Sequence, residues 1–206
     1  MKWFKYFVLT LFHPVDTFYL IKKDRKNISK LAVLIVLLAA VAMKILYVYT
    51  VNFTLSTTSV ADANAIIEIG VIVVPILLWA VASYALMTVC GGEATFGETF
   101  TISVYSLAPY IVLTPIMILV SHVFSKSEQA FFVGMQAFII AWVVVLLFIG
   151  FMQSNGLKFS HAIGFGLLGV VAMVLIAVTI LLAFGLGAQI VRFVQELVAE
   201  IKFFLL

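Results

Sequence analysis

Five long apolar runs fill most of this chain and constrain its fold more than any other feature. Each run is about as long as the roughly 20 apolar residues that an α-helix needs to cross the hydrocarbon of a bilayer. Hydrocarbon offers no partner to an unpaired backbone amide or carbonyl, so the spans must be helices. The sequence therefore predicts an all-α integral membrane protein, a five-transmembrane-helix bundle with spans at residues 31–53, 66–89, 99–123, 130–152 and 163–188.

The composition supports this class. Hydrophobic residues make up 65% of the chain and charged residues 10%, whereas soluble domains average about 45–50% and about 25%. The spans and short links use up the 206 residues and leave no room for a separate soluble domain. The single cysteine, Cys90, excludes an internal disulfide framework.

The third run is the least regular of the five. It contains Tyr105, Ser106, Pro109 and Pro115. Because proline has no amide hydrogen, Pro109 and Pro115 each leave a carbonyl one turn earlier without its helical donor. This predicts a helix interrupted twice, as a packing hinge or beside a polar cavity. The hydroxyls expected to satisfy the freed carbonyls belong to Ser103, Ser106 and Thr114.

Basic residues are concentrated before the first span. Such a cluster favours the cytoplasmic side and binds anionic lipid headgroups rather than nucleic acid. The sequence thus predicts a cell-membrane protein with a cytoplasmic N-terminus and, after five spans, a C-terminus outside. The predicted lipid-facing basic patch comprises Lys22, Lys23, Arg25, Lys26 and Lys30.

The two ends of the chain have amphipathic patterns. Apolar residues at helical spacing before and after His13–Pro14 predict helices that lie in the membrane interface. The last residues also have helical spacing and predict either an interfacial helix or an extension of the fifth span. The predicted organisation is a cytoplasmic amphipathic segment at 1–30, the membrane domain at 31–188 and an amphipathic C-terminal helix at 189–206.

Two charged residues fall in or beside apolar runs. Lys44 lies within the first run, and Glu68 begins the second run on the same side. Charges at this depth usually pair or extend to the interface, so a Lys44–Glu68 pair or a snorkelling Lys44 is expected. The alternative is a role in transport or proton relay.

The link at residues 91–98 is rich in glycine and carries Glu93 and Glu98. Thr95 and Glu98 have the spacing of a capping box, in which each side chain bonds the backbone of the other residue at a helix start. The capping box is the structural interpretation of Glu98, and it leaves Glu93 without a structural role. The candidate functional residues are Glu93, Glu98, Tyr105, Ser106, Pro109, Pro115, Lys44 and Glu68.

The sequence contains no signature of a nucleophile elbow, a zinc protease or a phosphate-binding loop. Its three histidines are far apart, and His13, Cys90, Glu93 and His161 have no spacing typical of metal ligands. No enzymatic activity, cofactor or metal is predicted.

Three segments together resemble the Yip-domain family (Ypt/Rab-interacting proteins), in its bacterial branch. They are His13–Pro14–Val15–Asp16–Thr17–Phe18, the stretch at 92–109 and the stretch at 156–162 before the last span. The resemblance covers nearly the whole chain. It implies five spans after a cytoplasmic N-terminus, and a membrane domain without an assigned activity.

The predicted function is a non-enzymatic scaffold, adaptor or accessory subunit of a membrane assembly. Its expected partners are the lipid bilayer with its anionic headgroups and another membrane protein or a second copy of the chain. The alternative is a small-solute, ion or lipid transporter that uses the proline-broken third span, with Lys44 and Glu93 around a polar path.

Overall fold

The computed structural model describes residues 2–24, 28–52, 55 and 64–204. Over this part of the chain all regular structure is helical, and five segments are long and apolar enough to cross a membrane. The predicted fold class is therefore confirmed. The helices are α1 (Lys2–Phe12), α2 (Pro14–Lys23), α3 (Lys30–Thr50), α4 (Ala65–Val89), α5 (Phe96–Tyr105), α6 (Ala108–Ser121), a 3-10 turn (Lys126–Glu128), α7 (Gln129–Ser154) and α8 (Phe159–Phe204).

The third span is broken once, not twice. It consists of α5 and α6, which are separated at Ser106 and Leu107. Pro109 lies in the first turn of α6, where its missing amide removes no helical hydrogen bond. Pro115 lies inside α6, and the helix continues through it. The prediction of a second interruption was wrong, because a membrane helix can retain its course around one missing hydrogen bond.

The hydroxyls around the break do not satisfy the proline-freed carbonyls as expected. Each bonds the carbonyl one turn before itself instead: Ser103 donates to Thr99, Ser106 to Ile102 and Thr114 to Tyr110. Such bonds hide the hydroxyl within its own helix, which lets a polar residue occupy an apolar core.

The bundle is built around this third span. In its most apolar stretch 56% of the residues are buried, against 28% or less in the other four spans. The other spans therefore lie at the periphery of the bundle, with most of their residues outside its interior. Both halves of the third span pack against α3 and α7, and α5 also packs against α4. Tyr105 and Val104, beside the break, are fully buried.

The N-terminal helices belong to the same core. Phe18 and Ile21 of α2 are buried, α2 packs along α7, and α1 packs against α2 and α6. The opposite surface of these helices exposes Phe4, Phe12 and Tyr19. Because α1 contacts α6, it lies alongside the second half of the third span. The predicted interfacial pair of helices thus has one face on the protein, and only the other face remains for lipid.

Three helices meet at Gly150 of α7. A methyl group at this position would overlap Ile102 Cγ2 of α5 and lie 3.5 Å from Phe18 Cε2 of α2. Gly134 of the same helix has no atom within 4 Å of the corresponding point. Gly150 therefore permits the close approach of α2, α5 and α7.

The last helix is far longer than a membrane crossing. α8 has 46 residues without a break, which corresponds to about 69 Å at 1.5 Å per residue, whereas the hydrocarbon core is about 30 Å thick. Its first half packs against α4, where Gly169 lies beside the Trp79 ring. The C-terminal tail was predicted to be either an interfacial helix or an extension of the fifth span. Its described part is an extension of the fifth span.

Candidate functional site

The end of α2 is tied to the α4–α5 link. Lys22 Nζ lies 3.0 Å from Glu93 Oε2, and the two side chains are 24% and 75% exposed. Lys22, which belongs to the predicted lipid-facing patch, is paired with a carboxylate in the structure. Glu93, for which the sequence suggested no structural role, thereby helps to hold α2 against the bundle.

The start of α5 uses half of the predicted capping box. Glu98 Oε2 accepts a hydrogen bond from the Thr95 amide at 2.8 Å, and Glu98 is 8% exposed. The Thr95 hydroxyl is buried and has no hydrogen-bond partner among the described residues. Glu98 therefore fixes the helix start, as its spacing predicted.

The glycines of the link serve two different needs. Gly91 has a φ of +80°, in the left-handed region that favours glycine. At Gly92 a methyl group would lie 2.7 Å from Met87 Cβ and 2.8 Å from Asn155 Oδ1. The link thus packs tightly on the end of α7. We call this end of the bundle, which holds the α4–α5 and α7–α8 links, the N-terminal side, and the opposite end the far side.

A second polar contact holds the N-terminal helices together. The Tyr6 hydroxyl of α1 donates to Asp24 Oδ2, after α2, at 2.6 Å. This bond, together with burial and the negative charge of Asp24, raises the pKa of Tyr6 above its ordinary value of 10.0. Sequence reasoning missed Tyr6, because a contact between residues 18 positions apart on two helices has no periodic signal.

We expect Tyr6→Phe to remove a pH-dependent part of the stability. The folded state holds the neutral phenol, so the stabilisation is present below pH 10 and is lost as the pH rises through the raised pKa. In thermal unfolding of the detergent-solubilised protein, the variant should lose about 1 kcal/mol between pH 7 and 9. The difference should shrink above pH 10. Tyr19→Phe, at an exposed position of α2, is the control and should show neither effect.

The charged pair of the far side is formed as predicted. Lys44 Nζ of α3 lies 3.2 Å from Glu68 Oε2 of α4, and the side chains are 19% and 12% exposed. Lys44 Nζ also lies 5.7 Å from the centre of the Tyr47 ring. The Tyr47 hydroxyl donates to Gln136 Oε1 of α7 at 3.5 Å. Polar side chains of α3, α4 and α7 therefore meet near the far-side ends of these helices. Lys44 and Gln136 lie about two turns inside their helices, and Glu68 lies in the first turn of α4.

A cavity of about 320 Å³ lies beside this polar group, between α3, α4, α6 and α7. Lys44 lines it, whereas Tyr105, Ser106, Pro109 and Pro115 do not. The Tyr105 side chain is instead fully buried in the core, and its hydroxyl has no hydrogen-bond partner among the described residues. Of the two residues at the break, Leu107 lines the cavity and Ser106 does not, so the side chain that the break presents to the cavity is apolar.

The structure does not bring Lys44 and Glu93 together. Glu68, the partner of Lys44, lies in the first turn of α4, and Glu93 follows the end of that helix. The 25 residues of α4 separate the two positions by about 37 Å. This separation does not favour the predicted polar path with both residues on its walls.

Among the residues that the structure describes, no three His, Cys, Asp or Glu side chains are grouped in a way that could hold a metal ion. The chain matches the family model of the Yip1 domain over residues 8–188. This match begins within α1 and so includes α2. No protein of curated function and no solved structure matches the chain.

Proposed function

The chain belongs to the Yip1 domain family. We propose that it is a non-enzymatic scaffold or adaptor for another membrane component. It is a multi-pass membrane protein with five spans. The single observation that carries the proposal is the unpartnered length of α8.

The second half of α8 is exposed over the residues whose side chains the structure describes. Only 6% of the most apolar stretch of the whole helix is buried, and every described side chain from Val178 to Leu197 is exposed. A helix that starts at Phe159 on one surface leaves a bilayer about 45 Å thick near residue 188. Beyond that point, Ile190, Val194 and Leu197 remain exposed. Apolar side chains outside the hydrocarbon favour burial against another protein.

The paired charges support a scaffold rather than a transporter. Lys22 and Lys44 each have a carboxylate partner, and the far-side pair is separated from Glu93 by the length of α4. A substrate path needs polar groups along its course. The polar groups of the cavity are confined to one end of it, and the remaining wall is apolar.

The N-terminal side supports contact with anionic lipid. Lys23 and Lys30 are exposed there, while Arg25 and Lys26, also predicted for this patch, lie outside the described residues. Basic side chains near a membrane surface attract anionic headgroups by about 1 kcal/mol each. The same charge bias supports our proposal that the N-terminus is cytoplasmic, that the C-terminus lies outside and that the protein resides in the cell membrane.

The test compares two faces of the α8 tail. Ile190→Ser/Val194→Ser alters one apolar face, and Arg192→Ala/Glu196→Ala alters the polar face as a matched control. Wild-type protein, cross-linked in its native membrane and purified in mild detergent, should yield a discrete higher-mass complex. We expect the first variant to reduce its yield at least about tenfold, since two buried apolar side chains contribute about 1.5 kcal/mol or more. The control should retain it.

Co-expression of two differently tagged copies distinguishes a self-complex from a complex with another protein. A lone monodisperse chain from the native membrane contradicts the proposal. Equal losses in both variants contradict the role of the apolar face.

A further inference from the structure

α4 and α7 enclose an open cleft. The cavity described above adjoins a second cavity of about 420 Å³, which lies between α4, α7 and α8. Both are lined by Pro75 and Ile76 of α4 and by Val144 and Leu147 of α7. We call the two together the α4–α7 cleft. Each part has the size of a small-molecule site, for which about 300–1,000 Å³ is typical.

The cleft is polar at one end only. Its far-side end holds Lys44, Tyr47 and Gln136, with Tyr110 and Thr114 nearby. The second cavity, toward the N-terminal side, is walled by apolar and aromatic side chains: Trp79, Phe148, Ile163, Leu167, Val170 and Met173. The cleft thus has the polarity of an amphiphile, with a short hydrogen-bonding end and a longer apolar channel.

The surroundings decide what occupies such a channel. A buried water needs about three polar partners, and the Trp79 indole N–H is the one donor among the side chains that line the second cavity. Empty space of this size forfeits dispersion contacts with its lining. Val144 and Leu167 on its walls are 56% and 65% exposed, so the channel is open on its membrane-facing flank. Liquid hydrocarbon lies against this opening.

We propose that the α4–α7 cleft binds one bilayer lipid. An acyl chain lies in the channel between α4, α7 and α8, and the glycerol-ester region lies against Gln136, Tyr47 and Lys44. The lipid comes from the far-side leaflet, because the polar end of the cleft lies near the far-side ends of α3 and α7.

The polar end suits ester oxygens. Gln136 accepts the Tyr47 hydroxyl through its amide oxygen, so its amide nitrogen is left to donate. The Lys44 ammonium group has three donor hydrogens, and one side of this group faces the Glu68 carboxylate. Ester carbonyls are acceptors and fit these donors. The Lys44–Glu68 pair is neutral overall, so the site should not depend on headgroup charge.

The proposal of a lipid site is independent of the proposed scaffold function, because the two depend on different residues. Val144→Trp fills the cleft, because Val144 lines both cavities. Val145→Trp is a matched control, since Val145 is similarly exposed, at 53% against 56%, and lines neither cavity. The protein is reconstituted in bilayers of palmitoyl-oleoyl phosphatidylcholine and phosphatidylglycerol and extracted in mild detergent. Native mass spectrometry then counts the retained lipids.

We expect one retained lipid per chain for the wild type and for Val145→Trp, with both headgroups retained within about threefold of each other. Val144→Trp should retain at least about tenfold less. Gln136→Leu, which keeps the channel open, should lower retention about three- to tenfold through the lost donor. This variant keeps the test decisive if Val144→Trp does not fold.

Diazirine-labelled acyl chains give the location. Photolabelling should concentrate on the peptides with Pro75 and Val144 in the wild type and should decrease there in Val144→Trp. No retained lipid, equal retention in Val144→Trp and Val145→Trp, or a protein helix cross-linked across the cleft each overturns the proposal.

Discussion

Gly150→Leu should destabilise the bundle more than any other single substitution considered. The Cβ atom of the new leucine would already overlap Ile102 Cγ2, and the Phe18 ring closes the adjacent space. Ile102 and Phe18 are 2% and 0% exposed, so neither can move into solvent or lipid. Overpacking a close-packed core costs about 1–3 kcal/mol, and here three helices must separate to admit four carbon atoms. We expect at least about 3 kcal/mol, at the upper end of that range.

The measurement is thermal unfolding in detergent, followed by gel filtration of the surviving protein. Gly150→Leu should lower the midpoint by many degrees or prevent recovery of a folded monomer. Gly134→Leu adds the same atoms to the same helix at a position with no neighbour within 4 Å and should behave as the wild type. Equal midpoints for the two variants would contradict the packing of α2 and α5 on α7.

Lys44→Met should have the second largest effect, and the double variant Lys44→Met/Glu68→Met should restore most of the loss. The single change leaves the Glu68 carboxylate, 12% exposed, without its cation. Removing one partner of a buried pair typically costs about 3–5 kcal/mol, whereas replacing both by apolar residues is often neutral. We therefore expect a loss of about 3 kcal/mol for the single variant and a change below about 1 kcal/mol for the double variant.

Thermal unfolding of the three proteins at pH 7 gives the comparison. If the double variant is as unstable as the single variant, the pair contributes through the packing of its side chains rather than through charge. If the single variant is as stable as the wild type, Glu68 is satisfied without Lys44, and the pair has no structural role.

The spans were predictable because bilayer hydrocarbon permits little besides helices, and length with apolarity identifies them. The Lys44–Glu68 pair was predictable for a related reason, since two charges inside hydrocarbon have few partners to choose from. The pair of Lys22 and Glu93 was not, because the residues are 71 positions apart and an exposed lysine has many possible partners.

The seating of the N-terminal helices could not be predicted from the pattern. A stripe of apolar residues looks the same whether it faces lipid or protein. Phe4 and Phe18 are equally apolar in sequence, yet Phe4 is exposed and Phe18 is buried. The cleft also has no sequence signal, because it depends on how far α4 and α7 stand apart. Only Pro75, inside α4, marks the place, and proline is common in membrane helices.

The broken third span has a consequence for how the protein is made. Its most apolar window has a mean hydropathy of 1.9, against 2.5 to 3.0 for the other four spans. It is therefore the span that gains least from lipid and most from its neighbours. During synthesis α3 and α4 enter the membrane first and α7 follows. Because both halves of the third span pack against α7, the ribosome must complete more than two thirds of the chain before the core around this span can close.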